Sequence, residues 1–243
     1  MLELVPKPLR RIARRWIERR GFIPPSQGPA NIHIVMRRRS LPSVQTVIDV
    51  GASDGRWSRE MMRYYPAARY LLIEAQESAH GPVLRKFQAE HQNVALEICA
   101  AGNRQSEINF DAGDPLGGQA SPTAYPKNNI VVPMETVDGL VRKHGLTGPF
   151  LLKLDTHGFE VPIFEGAVET LAKCAMLIVE AYNFTLCPGC LRFHELCAYL
   201  EERGFRCVDV FDIMVRPRDQ AFWQMDMVFI PASEPVFQVA EFR

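Results

Sequence analysis

An α/β fold of the doubly wound, Rossmann-like kind, with a mostly parallel sheet, is what three features of this sequence predict. From Val44 onward, strand-like runs alternate with helical ones, the pattern of right-handed βαβ units covered on both faces. The first strand run leaves through "IDVGASDG", residues 48–55, a glycine-bearing turn that opens a helix. The last two strand runs, "FRCVDVF" and "MDMVFIP", have no helix between them, and only an antiparallel pairing explains that economically.

Each element has its own signal. "PLRRIARRWIERRGF" places Leu9, Ile12, Ala13, Trp16 and Ile17 on one face and arginines on the other, an amphipathic helix stopped at Gly21 and followed by the linker "PPSQGP". Val44–Val50 reads as the first strand. A helix over Gly55–Tyr65 sets Trp57, Met61 and Tyr65 along one face, and Pro66 ends it. "RYLLIEA" is the second strand, Pro82–His91 a helix and "VALEICA" the third strand. "INF" and "NIVVP" are further short strands around a Gly/Pro/Ser-rich loop, Asp111–Asn128. Thr136 can cap a helix running to Gly145. "PFLLKLD" is the fourth main strand, Val161–Leu171 a short helix and "CAMLIVEA" the fifth strand. The helix Phe193–Arg203 repeats apolar residues at Phe193, Leu196, Cys197 and Leu200, and Gly204 closes it. The expected organisation is a basic N-terminal helix and linker over residues 1–43 and one α/β domain over 44–243.

Charge and cysteine content narrow the functional classes. The chain is neutral overall, but residues 1–40 hold ten Lys/Arg against two Glu, so a basic head sits before an acidic body. That distribution argues against nucleic acid as a partner. The head reads as a solvated helix docked on the domain, or in a sharper reading as a peripheral membrane contact through residues 8–20. No apolar run approaches the roughly 18 residues of a membrane span, and the N-terminus lacks the apolar core of a secretory signal. Six cysteines in 243 residues are too few for a disulfide framework. The expected location is the cytoplasm, membrane-peripheral in the sharper reading of the head, with Cys99 and Cys174 as core thiols.

In an open parallel sheet, ligands bind beyond the carboxyl ends of the strands. There Gly51 removes a Cβ beside the ligand, Gly55 does so as the helix starts, and the first free N–H groups of that helix suit an anion. Asp49 offers a carboxylate to an ammonium. Glu74 ends the second strand at the distance from Gly51 typical of an acid that grips a ribose diol. The glycine spacing is G-x-x-x-G and not the G-x-G-x-x-G of dinucleotide sites, which disfavours an NAD-dependent oxidoreductase. A nucleoside carrying an amino acid, S-adenosyl-L-methionine, fits better.

"VIDVGASDGRWS", "YLLIEA", "ETVD", "LLKLDTHGFEVPIFEGA" and "LIVEAYN" resemble, in that order, the blocks of the FkbM-type methyltransferases. The likeness runs from Thr46 to Phe211, and the block Lys153–Gly166 is its most specific part. The resemblance implies the class I fold, a seven-stranded sheet with the final strand reversed, S-adenosyl-L-methionine as cofactor, and O-methylation of a small-molecule or glycan acceptor. Ser53-Asp54 and the "CPGC" at 187–190 depart from the family pattern. The candidate cofactor residues are Asp49, Gly51, Ala52, Asp54, Gly55, Glu74, Ala101 and Asp155.

The catalytic candidates are Asp155, His157 and Glu180. Asp155 closes the fourth strand, and His157 stands two residues on with an unperturbed pKa of about 6.5, suited to a neutral base. Glu180 ends the neighbouring fifth strand, so two carboxylates would face one crevice and share a proton, flank a substrate or bind a hard cation. Mg2+ on Asp155 and Glu180 is considered and not favoured, because oxygen ligands alone do not identify a metal. Lys153 reads as a partnered structural lysine, and Glu160 as its partner or that of an arginine. Tyr182 and Asn183 could line the acceptor pocket, with 111–128 and 182–190 as its walls. Cys187, Cys190, His194 and Cys197 are spaced too tightly for a zinc knuckle and read as reduced thiols. The competing function is a non-catalytic Rossmann-like module that binds an anionic membrane or an acidic partner through its arginine-rich head.

Overall fold

The computed structural model describes residues 41–241 together with Ile32, Val35 and Met36; the arginine-rich helix and linker expected ahead of them lie outside the described residues. The main body is a seven-stranded sheet built from β1 (Thr46–Val50), β2 (Arg69–Glu74), β3 (Val94–Ile98), β8 (Phe150–Leu154), β9 (Cys174–Tyr182), β10 (Phe205–Val215) and β11 (Phe222–Pro231). Their order is β10-β11-β9-β8-β1-β2-β3. β1 pairs in parallel with β2 and β8, β2 with β3, and β8 with β9. β11 is antiparallel to both β9 and β10, so the final strand is the reversed one and it lies inside the sheet.

Both faces are covered, as the apolar runs require. Alternate residues go to opposite clusters: Ile48, Val50, Leu71, Ile73, Leu152 and Leu154 to one, Val47, Tyr70, Leu72 and Leu151 to the other. The covering helices are α1 (Arg56–Met61), α2 (Glu77–Glu90), α3 (Val137–Lys143), α4 (Glu160–Glu165), α5 (Val168–Leu171) and α6 (Phe193–Glu201). The Thr136 side chain accepts from the Gly139 N–H at the start of α3, the cap read from the sequence.

Four elements differ from expectation. The "VALEICA" run breaks at Cys99; its end, β4 (Ala100–Ala101), pairs with β7 (Asn129–Glu135) in a second sheet of order β4-β7-β5-β6. That sheet also holds β5 (Ser106–Asp111) and β6 (Gln119–Ser121). Helix α2 starts five residues before Pro82. The 161–171 helix is two short ones, α4 and α5. Helix α1 spans six residues and stops short of Tyr65.

Cys187 and Cys190 form a disulfide, so they are not the reduced thiols expected, and they leave no zinc set with His194 and Cys197. Cys99 and Cys174 are buried and free; burial pushes both thiols up to about 12, as inert core residues should be. No helix among the described residues is long and apolar enough to cross a membrane.

Candidate active site

A cavity of about 700 Å³ opens at the carboxyl ends of β1, β2, β8 and β9, within the range of sites that enclose a small molecule. The turn after β1 supplies one wall through Gly51, Ala52 and Ser53. Gly51 holds φ 75°, and a Cβ there would lie 2.1 Å from the Asp155 carbonyl oxygen. The glycine therefore lets the ends of β1 and β8 meet, a backbone reason that stands beside its place in the cavity wall.

Glu74 is 6% exposed and faces this cavity. Its Oε2 accepts from the Ser53 N–H at 2.8 Å and its Oε1 from the Gln76 N–H at 2.8 Å. Two backbone amides thus fix the carboxylate, while each oxygen keeps a lone pair for a diol. Ile73, Ala75, Cys99, Ala100 and Ala101 continue the wall beyond it, an apolar surface for a flat ring.

Three cofactor candidates are placed elsewhere. Asp49 is fully buried and off the cavity; it accepts from Ser58 Oγ at 2.7 Å and faces Lys153 Nζ at 3.5 Å. The reason is parity: Asp49 and Lys153 are register partners in β1 and β8 and share the face covered by α1. Burial raises the Asp49 pKa, with Lys153 and Ser58 opposing. Asp54 bonds Arg56 at both its backbone N–H and its guanidinium, and those bonds lower its pKa. The first amide of α1, expected to hold an anion, is thereby taken by Asp54. Gly55 serves packing: a Cβ there would meet the Phe87 ring at 2.7 Å.

The opposite wall brings Asp155, His157 and Glu180 together. His157 adopts φ 53°, and its Nδ1 lies 3.0 Å from the Gly118 carbonyl oxygen. With that nitrogen donating to Gly118, Nε2 faces Asp155 Oδ1 at 3.6 Å and Glu180 Oε2 at 3.5 Å. Tyr182 Oη donates to Glu180 Oε2 and Gln224 Nε2 donates to Glu180 Oε1. Lys153 Nζ reaches Asp155 Oδ2 at 3.0 Å.

The charges divide unevenly. Burial pushes the Glu180 carboxyl up to about 9, and the neighbouring Asp155 adds to the rise. Burial would also raise Asp155, but the Lys153 ammonium, His157 and the hydrogen bonds with Lys153 and Glu180 together outweigh it and hold Asp155 below the usual carboxylate range. Of the pair, Glu180 keeps the proton and Asp155 the charge. Burial alone would lower Lys153; Asp155 and Asp49 overcome it and raise its pKa. Lys153 is thus the partnered lysine expected, though its partners are the aspartates. Glu160 accepts from Thr156 Oγ1 at 3.0 Å and the Gly158 N–H at 2.8 Å, shaping the loop after β8.

Sequence reading missed Asp226 and Gln224, which line the cavity from β11. Asp226 is the register partner of Glu180, and burial pushes it up to about 7. Its signal was an acid inside the apolar run "MDMVF". Of the expected walls, Pro115, Leu116 and Gly118 do line the cavity; Gln76 Nε2 and His80 Nε2 hold that loop by the carbonyls of Asp114 and Pro115. Tyr182 also lines it, whereas Asn183 instead bonds the Phe222 carbonyl.

A family model described as Methyltransferase FkbM domain matches residues 49–207. Among solved structures, a methyltransferase FkbM from Methylobacillus flagellatus superposes with a TM-score of 0.50 at 15% identity, over 75% of this chain and 43% of that one. The chain thus spans less than half of that relative, and the likeness concerns the fold. Two others match with lower TM-scores: a SAM-dependent methyltransferase from Aquifex aeolicus (0.43, 14% identity, 84% and 94% covered), and precorrin-6y C5,15-methyltransferase from Geobacter metallireducens (0.45, 14%, 85% and 90%). No curated protein sequence matches the chain.

Proposed function

The chain belongs to the FkbM methyltransferase family, and we propose that it transfers a methyl group from S-adenosyl-L-methionine to a hydroxyl of a sugar, glycan or secondary metabolite. The observation that carries this is a single cavity with a diol-gripping acid on one wall and a proton-handling trio on the other. The residues present fit the cofactor: Glu74 is preset by two amides for a ribose, the Ile73–Ala75 wall for a base, and Asp155 for positive charge. When bound, the cofactor supplies an activated methyl group on a sulfonium.

What remains for the protein is alignment and proton removal. Orientation can supply on the order of 7–11 kcal/mol in such displacements. Asp155 Oδ1 and His157 Nε2 converge at 3.6 Å, so one acceptor hydroxyl can meet both. With Nδ1 held by Gly118, Nε2 carries the lone pair that takes the hydroxyl proton, and ionised Asp155 stabilises the cation formed. Protonated Glu180 can donate to the acceptor. Calorimetry comparing S-adenosyl-L-methionine with NAD and ATP, followed by labelled-methyl transfer to a panel of hydroxylated acceptors, tests this. Preferential binding of NAD or ATP would overturn it.

A further inference from the structure

The trio has a property that a pair of acids lacks. Asp155, His157 and Glu180 each offer one ligand atom, and these atoms all lie within 4.8 Å of one another. An octahedral or tetrahedral ion with ligands at about 2.1 Å needs them about 3.0–3.4 Å apart. The two histidine edges measure 3.6 and 3.5 Å, within a few tenths of an ångström of that range, and the Asp155–Glu180 edge, within 4.8 Å, closes by rotation of the two carboxylates.

Each member is also held from behind. His157 Nδ1 is fixed by the Gly118 carbonyl, Asp155 Oδ2 by Lys153, and the Glu180 carboxylate by Tyr182 and Gln224. That is the outer ring of hydrogen bonds that orients metal ligands and sets the nitrogen a histidine presents. The left-handed backbone of His157 is a local cost of the kind that gathers at functional sites. Asp226, opposite Glu180 in the register and lining the same cavity, adds a further acid to a wall on which Lys153 bonds only Asp155 among the three.

We infer that Asp155 Oδ1, His157 Nε2 and Glu180 Oε2 form a binding site for one divalent first-row transition ion. One imidazole and two carboxylates suit Mn2+ better than the all-oxygen Mg2+ or Ca2+. For its role, and not for its binding, the inference rests on the methyl-transfer reading: an ion there displaces the Glu180 proton to solvent and polarises the acceptor hydroxyl, and His157 and Glu180 then serve as ligands in place of base and acid.

The test is titration of the full chain with Mn2+ alone, followed by loss of the free-ion EPR signal, with and without S-adenosylhomocysteine. One saturable ion per chain is expected, bound at least about 10-fold more tightly than Mg2+. His157→Ala and Glu180→Gln should each weaken it about 10–100-fold, while Glu97→Gln, remote from the cavity, should not. Pulsed EPR of the unmutated protein supplies a check free of folding effects: bound Mn2+ must show coupling to an imidazole nitrogen. No saturable binding, or binding without nitrogen coupling, overturns the site even if methyl transfer proceeds. Binding with coupling sustains it even if no acceptor is methylated.

Discussion

The two walls of the cavity are built on opposite principles. At the β1–β2 wall Glu74 is already bonded by two backbone amides, and glycine, alanine and aliphatic side chains flank it. At the β8–β9–β11 wall, three acids, a histidine and a lysine crowd together; burial raises Glu180 and Asp226, and the acids raise Lys153 against its burial. The first wall is a shape held rigid before any ligand arrives. The second concentrates acids and bases that set one another's protonation. The methyl transfer proposed above would use both, one wall to hold the donor in a fixed pose and the other to take a proton from the acceptor.

The largest effect should come from breaking the seam between the walls. Gly51→Ala puts a Cβ 2.1 Å from the Asp155 carbonyl at φ 75°, so it should cost on the order of 3 kcal/mol or more and abolish donor binding. Thermal unfolding and calorimetry together measure this, and an unchanged midpoint would mean the seam is not tight. Next, His157→Ala should lower turnover about 10²–10⁴-fold while leaving cofactor affinity intact. If affinity falls as far as turnover, the division of labour between the walls is wrong.

Glu74→Gln should do the reverse. It keeps the shape but turns one acceptor oxygen into a donor facing an amide, so affinity for S-adenosylhomocysteine should drop about 10-fold or more, worth about 1.5–3 kcal/mol. Stability between about pH 4.5 and 9 should respond to the charged wall. Glu180 holds its proton up to about 9 and Asp226 up to about 7, both above their unfolded values. The folded protein therefore binds the extra protons, and stability falls as pH rises from near 4.5 through 9. Melting scans should show that slope, flattened in Glu180→Gln. The smallest effect is Thr136→Ala, which removes the α3 cap for about 1 kcal/mol and should leave ligand affinity unchanged.

How much of this was legible depended on whether a residue's neighbours lie along the chain or across it. Buried parallel strands announce themselves as apolar runs, so β1, β2, β8 and β9 stood out, as did Glu74, Asp155 and Glu180 at their ends. The second sheet did not: β6 is only the triplet Gln119–Ser121, and the "VALEICA" run hides the break at Cys99. Parity misled at Asp49, where strand position was clear but the facing lysine was 104 residues away. Asp226 joins the site only because β11 turns back beside β9, a pairing that spacing alone does not reveal. The basic head, read as a helix over residues 8–20, lies outside the described residues.

The interior position of β11 constrains the order of assembly. β10 precedes β11 in the chain, yet it reaches the sheet only through β11. The two strands must zip into a hairpin before docking on β9, or β10 must wait unpaired. Until that docking, Glu180 has neither Gln224 nor Asp226 beside it. The β1–β2 wall needs only β1, β2 and β8, whereas the wall that carries Glu180 is complete only once β11 stands beside β9.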